Sequence, residues 1–294
     1  MKLNAVSLVV LASCLSASAQ NYPVNPPISG PQSPVPFCFD PGPCIGPPAG
    51  LVAWYPFEGT NGQEEDTAVG AKHSTGLDKG ILGKSSGLIG KFLDLSAGAG
   101  YVEVAGASAF DATNAGYPVS TKEIDFYGSE FSLSAWFITT ATNSTILPIL
   151  ERRDGGSNLR GYTLFLYNGR PGFQLAGANQ VPAPAPGWFN WILPVAPANP
   201  DLRNGVWHHL AVSVDRTSSF GGNLYVDGNL VLTFDPTSFS DRNLQTTAPL
   251  LIGRHMDGYP WKGGIDEVMI FQKALDAAGV MRLFQAKVMR LCTC

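Results

Sequence analysis

The hydrophobic positions of this chain recur mostly at a spacing of two, in short runs broken by Gly, Pro, Asn and Asp. The segment 131–139 shows it best: Phe131, Leu133, Ala135 and Phe137 point one way and Ser132 and Ser134 the other, which predicts a half-buried strand. Residues 161–167 behave alike, with Tyr162, Leu164 and Leu166 on one face. Further strands are predicted at 51–57, 91–95, 101–104, 146–151, 207–214, 249–253 and 264–271. At 223–231, Asp227-Gly228 stands between β-formers. That dipeptide supplies the positive φ angles of a type I′ turn, so a hairpin is predicted. Only 274–284 has helical spacing, through Leu275, Ala278 and Met281. There is no strand–helix alternation and no fixed repeat. The pattern predicts an all-β fold, a two-sheet antiparallel β-sandwich (jelly roll) with a short C-terminal helix.

The ends read differently. Lys2 precedes an apolar run, Leu3 to Leu11, too short to span a bilayer, and Ala17-Ser18-Ala19 offers a cleavage site. Residues 1–19 are therefore predicted to be a signal peptide, which implies a secreted, extracellular protein with no membrane span. Leu11-Ala12-Ser13-Cys14 is the alternative, a lipobox that would anchor the chain by a lipid on Cys14. Residues 20–49 are Pro-rich and predict an extended linker. The domain proper is predicted at 50–286, followed by a Cys-containing tail, 287–294. Formal charge is −4, with charged residues at 14% and no Lys/Arg cluster, which excludes a nucleic-acid partner. Of five cysteines, Cys38, Cys44, Cys292 and Cys294 would survive processing. An even number in an exported chain predicts disulfides, and their spacings fit structural zinc poorly.

Several stretches, in order, carry a resemblance: Gly50–Gly59, Gly90–Leu95 with Gly100–Val104, Phe131–Phe137, Trp207–Asp215, Leu224–Gly228, Leu251–Arg254, and Gly264–Phe271 ahead of Ala274-Leu275. Together they resemble the laminin G-like jelly-roll group of the concanavalin A-like lectin/glucanase superfamily over residues 50–285. Gly279 departs from the resemblance, standing where the group's last helix usually has an acidic residue, and this predicts a frayed helix. The resemblance implies that the first and last strands are neighbours. Residues just outside both ends would then lie close, so bridges from Cys38 and Cys44 to Cys292 and Cys294 are expected, with a local Cys38–Cys44 loop as the alternative.

The superfamily includes polysaccharide-acting hydrolases, which need two suitably spaced carboxylates. Lys122-Glu123-Ile124-Asp125-Phe126-Tyr127-Gly128 resembles a laminarinase signature but lacks the last carboxylate. Asp266 and Glu267 are adjacent on one strand and would face opposite ways. His208 and His209 are adjacent as well, with no serine or cysteine in a nucleophile elbow. No catalytic residue is expected, and glycoside hydrolase or lyase activity is the rival reading. Members of the group often bind calcium where first and last strands meet. Glu58, Asn61 and Asp66 after the first strand and Asp266 on the last are the expected oxygen ligands for a structural calcium. Against this, Asp266 would accept backbone N–H bonds or pair with Arg254. The Pro-studded segment 176–206 carries Trp188, Phe189 and Trp191, read as a stiff recognition loop; the alternative is a local mini-core at the sandwich edge. The expected function is a non-catalytic binding or adhesion module for an extracellular glycan or surface protein.

Overall fold

The computed structural model describes residues 46–59, 62–68, 75–105, 124, 126, 130–155, 159–177, 187–242 and 244–286, all within the unit formed by residues 38–294. They form two antiparallel sheets. The first runs β14 (Asn229–Phe234), β13 (Gly222–Val226), β12 (His208–Asp215), β7 (Glu130–Ile138), β16 (Gly264–Phe271), β5 (Lys91–Asp94) and β4 (Gly83–Ser86); β1 (Leu51–Tyr55) also pairs with β16. The second runs β11 (Trp188–Ile192), β10 (Arg170–Ala176), β9 (Gly161–Tyr167), β8 (Ile146–Arg153), β15 (Leu250–Ile252), β6 (Tyr101–Val104), β3 (Gly76–Lys79) and β2 (Gln63–Glu64). First and last strands are neighbours, with Tyr55 opposite Val268.

The core lies between the sheets. Phe131, Leu133, Ala135 and Phe137 from one side meet Tyr162, Leu164, Leu166 and Phe173 from the other. Strand β7 differs from its expected half-burial, because Ser132 and Ser134 are buried too. Ser134 meets His209 of β12 at 2.8 Å, and the chain after β16 folds back over Ser132. Ser132 donates to Lys273 O at 2.7 Å and accepts from Leu275 N at 2.9 Å. Helix α1 (Ala277–Gln285) then packs Val280 and Leu283 with Trp54, Ala211, Tyr225 and Met269 in a second apolar cluster. That helix runs through Gly279, whose N–H is capped by the Asp276 carboxylate at 2.7 Å. The expected fraying is therefore not found. The Asp227-Gly228 hairpin is present, with φ of 50° and 78° and Val226 opposite Asn229.

Strands β2, β3, β4, β10 and β11 were not foreseen. In β10, Pro171 and Gly172 argue locally against a strand, yet seven residues of β10 pair with β9. Residues 188–192, read as part of a loop, form the edge strand of the second sheet. Cys14, Cys38, Cys44, Cys292 and Cys294, Asn61, Glu123 and Asp125, with the signal and tail segments, lie outside the described residues. Among the described residues no helix is long and apolar enough to cross a membrane.

The architecture positions the site. The first sheet is packed on its inner face by the core and, around β1 and β12, on its outer face by α1. The second sheet presents its outer face at β8 to β11, where the residues alternating with the core set are gathered.

Candidate functional site

The register of β8 to β11 lays these outward residues in rows. One row crosses the sheet as Glu151, Thr163, Gln174 and Asn190; the next is Pro148, Phe165, Gly172 and Ile192; a third pairs Ile146 with Tyr167. The residues around them enclose a cavity of about 310 Å³ lined by Ile146, Thr163, Phe165, Tyr167, Gln174, Asn190, Ile192 and His255. Its floor is apolar and aromatic. A Cβ at residue 172 would meet Phe165 Cε2 at 2.7 Å and Cζ at 2.8 Å. Only glycine lets that ring lie close over β10. Tyr167 stands at the rim, 39% exposed.

The wall comes from a hairpin beyond β15. Arg254 bridges Pro260, and His255 N donates to Tyr259 O at 2.9 Å. This brings His255 over β8, a hundred residues away in sequence. Glu151 anchors it. Its carboxylate accepts from Thr163 Oγ1 at 2.8 Å and from Met256 N at 2.7 Å, and lies 3.1 Å from His255 Nε2. Burial pushes the Glu151 pKa up, against the pull of the Met256 N–H and the Arg153 guanidinium. Burial also lowers that of His255, to about 4, and Arg153 adds to the effect. The imidazole is thus neutral near pH 7. Asp257 N donates to its Nδ1 at 3.1 Å, and the Arg153 Nη2 lies 3.1 Å from its Nε2.

Glu151 shares its face with Glu103, two strands away across Leu251. The spacing, roughly 10 Å by strand geometry, invites a hydrolytic reading. Glu151, however, is 1% exposed and committed to protein donors, and Glu103 pairs with Lys79 at 3.6 Å. Between these two carboxylates there is no free acid beside a free base. Asp266 and Glu267 lie at a bulge in β16, both buried, and Glu267 accepts from Trp54 Nε1 at 2.6 Å. His209 Nε2 lies 2.8 Å from Ser134 Oγ with its ring against Trp136 and Phe284, and His208 pairs with Asp227 at 2.8 Å. Both histidines are structural.

The three aromatic residues expected to act together divide between faces. Trp191 turns inward, stacked on Phe173 and Phe234 with Phe239 at its edge. Phe189 is on the same side, half exposed. Trp188, opposite Ala176, stands on the groove face with Asn190 and Ile192 and is 41% exposed. Gln174, Asn190, Phe165, Tyr167 and His255 were missed. The available signal was β9, whose outward positions include Phe165 and Tyr167 where solvent-facing polar residues are usual.

The expected calcium ligands are partly gathered. Glu58 accepts from Lys91 N at 3.2 Å, and Asp66 accepts from Trp54 N at 2.8 Å and Ala68 N at 3.0 Å. Asp266 is fully buried. Its Oδ1 accepts from Glu267 N at 2.9 Å, while Oδ2 has no hydrogen-bond partner among the described residues. Burial pushes its pKa up to about 9, aided by the charges of Glu267 and Glu58 and opposed by Lys84. Lys84 itself sits 2.5 Å from Glu64 and over the Phe57 ring. The carboxylate chemistry of Glu58 and Asp266 suits a hard cation. Among the described residues, though, no three metal-binding side chains come together.

Comparison with known proteins places the chain. Among solved structures it is similar to the binding domain of Paraclostridial Mosquitocidal Protein 1, at 15% identity and TM-score 0.58, covering 81% of this chain and 52% of that one. It is also similar to domain 4 of AbnA, an extracellular GH43 arabinanase of Geobacillus stearothermophilus solved with arabinotriose, at 19% identity and TM-score 0.53, covering 80% and 98%. A botulinum neurotoxin type C structure, described as depending on two ganglioside molecules for cell entry, matches at 14% identity and TM-score 0.55, covering 81% and 51%. The chain thus spans about half the length of the toxin chains. At these identities the likeness is one of fold. A comparison with curated proteins gives no match. The laminin G family model described as concanavalin A-like lectin/glucanases superfamily matches residues 111–281, more than half of the chain. In sequence and in fold, the chain belongs to the laminin G-type family of the concanavalin A-like lectin/glucanase superfamily.

Proposed function

We propose that this chain is an extracellular, non-catalytic glycan-binding module whose ligand lies in the groove on the outer face of the second sheet. The carrying observation is the pairing of an aromatic floor, Phe165 and Tyr167, with a parallel row of hydrogen-bonding side chains, Thr163, Gln174 and Asn190. A sugar has the same two-sided character, with apolar C–H faces and hydroxyl edges, so one rigid wall serves each. The cavity volume of about 310 Å³ is at the small end for ligand sites. Support comes also from solved structures of like fold, one a toxin's binding domain and another a domain of an arabinanase in complex with arabinotriose. The N-terminal apolar run and the even number of cysteines beyond residue 19 support export.

The test is titration calorimetry of the purified chain against soluble oligosaccharides, with Tyr167→Ala alongside. Binding weakened several-fold by that substitution supports the groove. Binding that ignores it moves the site elsewhere. Release of reducing ends from β-glucan, lost in Glu151→Gln, would overturn the non-catalytic reading.

Calcium near Glu58 and Asp266 belongs to the same proposal, supported by the buried Asp266 Oδ2 with no hydrogen-bond partner among the described residues. An ion bound only by the folded chain raises the melting temperature as calcium rises. Equal melting curves in calcium and in chelator would remove it, leaving Lys84 as the resident cation.

A further inference from the structure

The polar row of the groove is incompletely satisfied. Gln174 and Asn190 are directly opposite each other on β10 and β11, and Gln174 Nε2 donates to Asn190 Oδ1 at 2.7 Å. Gln174 is 8% exposed, and its Oε1 is buried without a hydrogen-bond partner among the described residues. Buried amide oxygens in folded proteins nearly always have one, and leaving one bare is costly. On its other side Gln174 faces Thr163, whose hydroxyl hydrogen is already given to Glu151. The row's own donor therefore cannot fill the gap. Gln174 lines the cavity, as does Phe165.

The amide pair thus presents one acceptor, Gln174 Oε1, and one donor group, Asn190 Nδ2, with their mutual bond fixing both. Turning both amides over exchanges the roles and leaves the same combination, one donor and one acceptor. Adjacent hydroxyls complement it, since each hydroxyl can donate and accept. The charge of the groove narrows the class further. Among its described lining residues there is no lysine or arginine. Nearby Arg153 is engaged by Glu151, at 3.8 Å, and by Asp257, at 3.3 Å. A ligand carboxylate would be desolvated there without a free counter-charge.

Resting on the groove as the binding site, we propose that Gln174 and Asn190 form a specificity-determining pair that reads two adjacent hydroxyls of an uncharged sugar. One hydroxyl donates to Gln174 Oε1, and its neighbour accepts from Asn190 Nδ2. The sugar's apolar face lies toward Phe165 and Tyr167.

The probes are xylotriose, cellotriose, arabinotriose and, as the charged member, 3′-sialyllactose, titrated into the intact chain and into Gln174→Met, Asn190→Ala and Tyr167→Ala. At least one neutral trisaccharide binds, and sialyllactose does not. Gln174→Met and Asn190→Ala each weaken the neutral probe about tenfold or more, because each strands a hydroxyl and the surviving amide. Single-deoxy analogues of the bound probe lose a similar factor on the unmodified chain, which supplies the answer even where a variant fails to fold. Neutral binding that falls in Tyr167→Ala, is unmoved within twofold by both amide variants, and is equally indifferent to every deoxy analogue overturns the amide pair and leaves the groove standing. Preference for sialyllactose overturns the uncharged class. Silence from all four probes, or indifference to Tyr167→Ala, overturns the groove and the pair together.

Discussion

Gly172→Ala adds one methyl group to the floor of the groove, and its consequences follow from three distances. The new Cβ would lie 2.7 and 2.8 Å from Phe165 Cε2 and Cζ and 3.2 Å from Ile192 Cγ1. Carbon atoms prefer about 3.5–4.0 Å, so the Phe165 ring must retreat by roughly 1 Å. Toward the core it meets the packed sheet, so it lifts into the cavity, taking the space where a ligand face would rest. Overpacking of this kind costs about 1–3 kcal/mol. The residue has no positive φ, so alanine recovers about 0.4–1 kcal/mol by restricting the unfolded chain. The expected net loss is about 1–2 kcal/mol, read as a lower urea midpoint at unchanged slope, together with at least a tenfold loss of sugar affinity. Gly83→Ala is the control: its Cβ would meet nothing closer than Asp94 Cβ at 3.9 Å, so stability and binding stay put. If Gly172→Ala matches the parent in both midpoint and affinity, the Phe165 ring is not seated on Gly172, and the floor has been misread.

Trp191→Ala should cost about 3 kcal/mol, because the ring covers Phe173, Phe234 and Phe239 at the core edge. Trp188→Ala, at an exposed position, should stay within about 0.5 kcal/mol in stability while weakening glycan binding; chemical denaturation and titration separate the two. His255, lowered to about 4 from 6.5, binds its proton less readily folded than unfolded. Stability should therefore fall on acidification between about pH 6.5 and 4, by roughly 1 kcal/mol per pH unit at most. His255→Gln should flatten that slope, and an unchanged melting-temperature profile in the variant would exclude the ring as its source. Glu151, raised by burial, acts in the opposite sense, losing stability as pH rises above the ordinary carboxylate range. Peptide mapping without reduction should recover Cys38 and Cys44 linked to Cys292 and Cys294; a Cys38–Cys44 peptide with both C-terminal thiols alkylated would refute stapled ends.

Local pattern was enough for much of the sandwich. Alternation at Phe131–Phe137 and at Tyr162–Leu166 assigned core faces, because side chains on a strand alternate whatever the strand's neighbours are. Asp227-Gly228 specified its own hairpin through backbone sterics. Family resemblance added the β1–β16 pairing, which no local rule contains. Tertiary structure decided the rest. Pro171 and Gly172 weaken β10 as an isolated strand, but pairing with β9 on one side and β11 on the other outweighs that preference. The same edge strand sends Trp191 to the core and Trp188 to the groove, a division set by register rather than by residue type. Ser132 looks solvent-facing until the chain about 140 residues later covers it, and Ser134 until His209 meets it from β12. The groove was legible only in fragments: the sequence shows that Thr163, Phe165 and Tyr167 share a face. That Gln174, Asn190 and His255 complete it depends on strand order and on a distant hairpin, and strand order is fixed by long-range burial, which alternation along one strand does not encode.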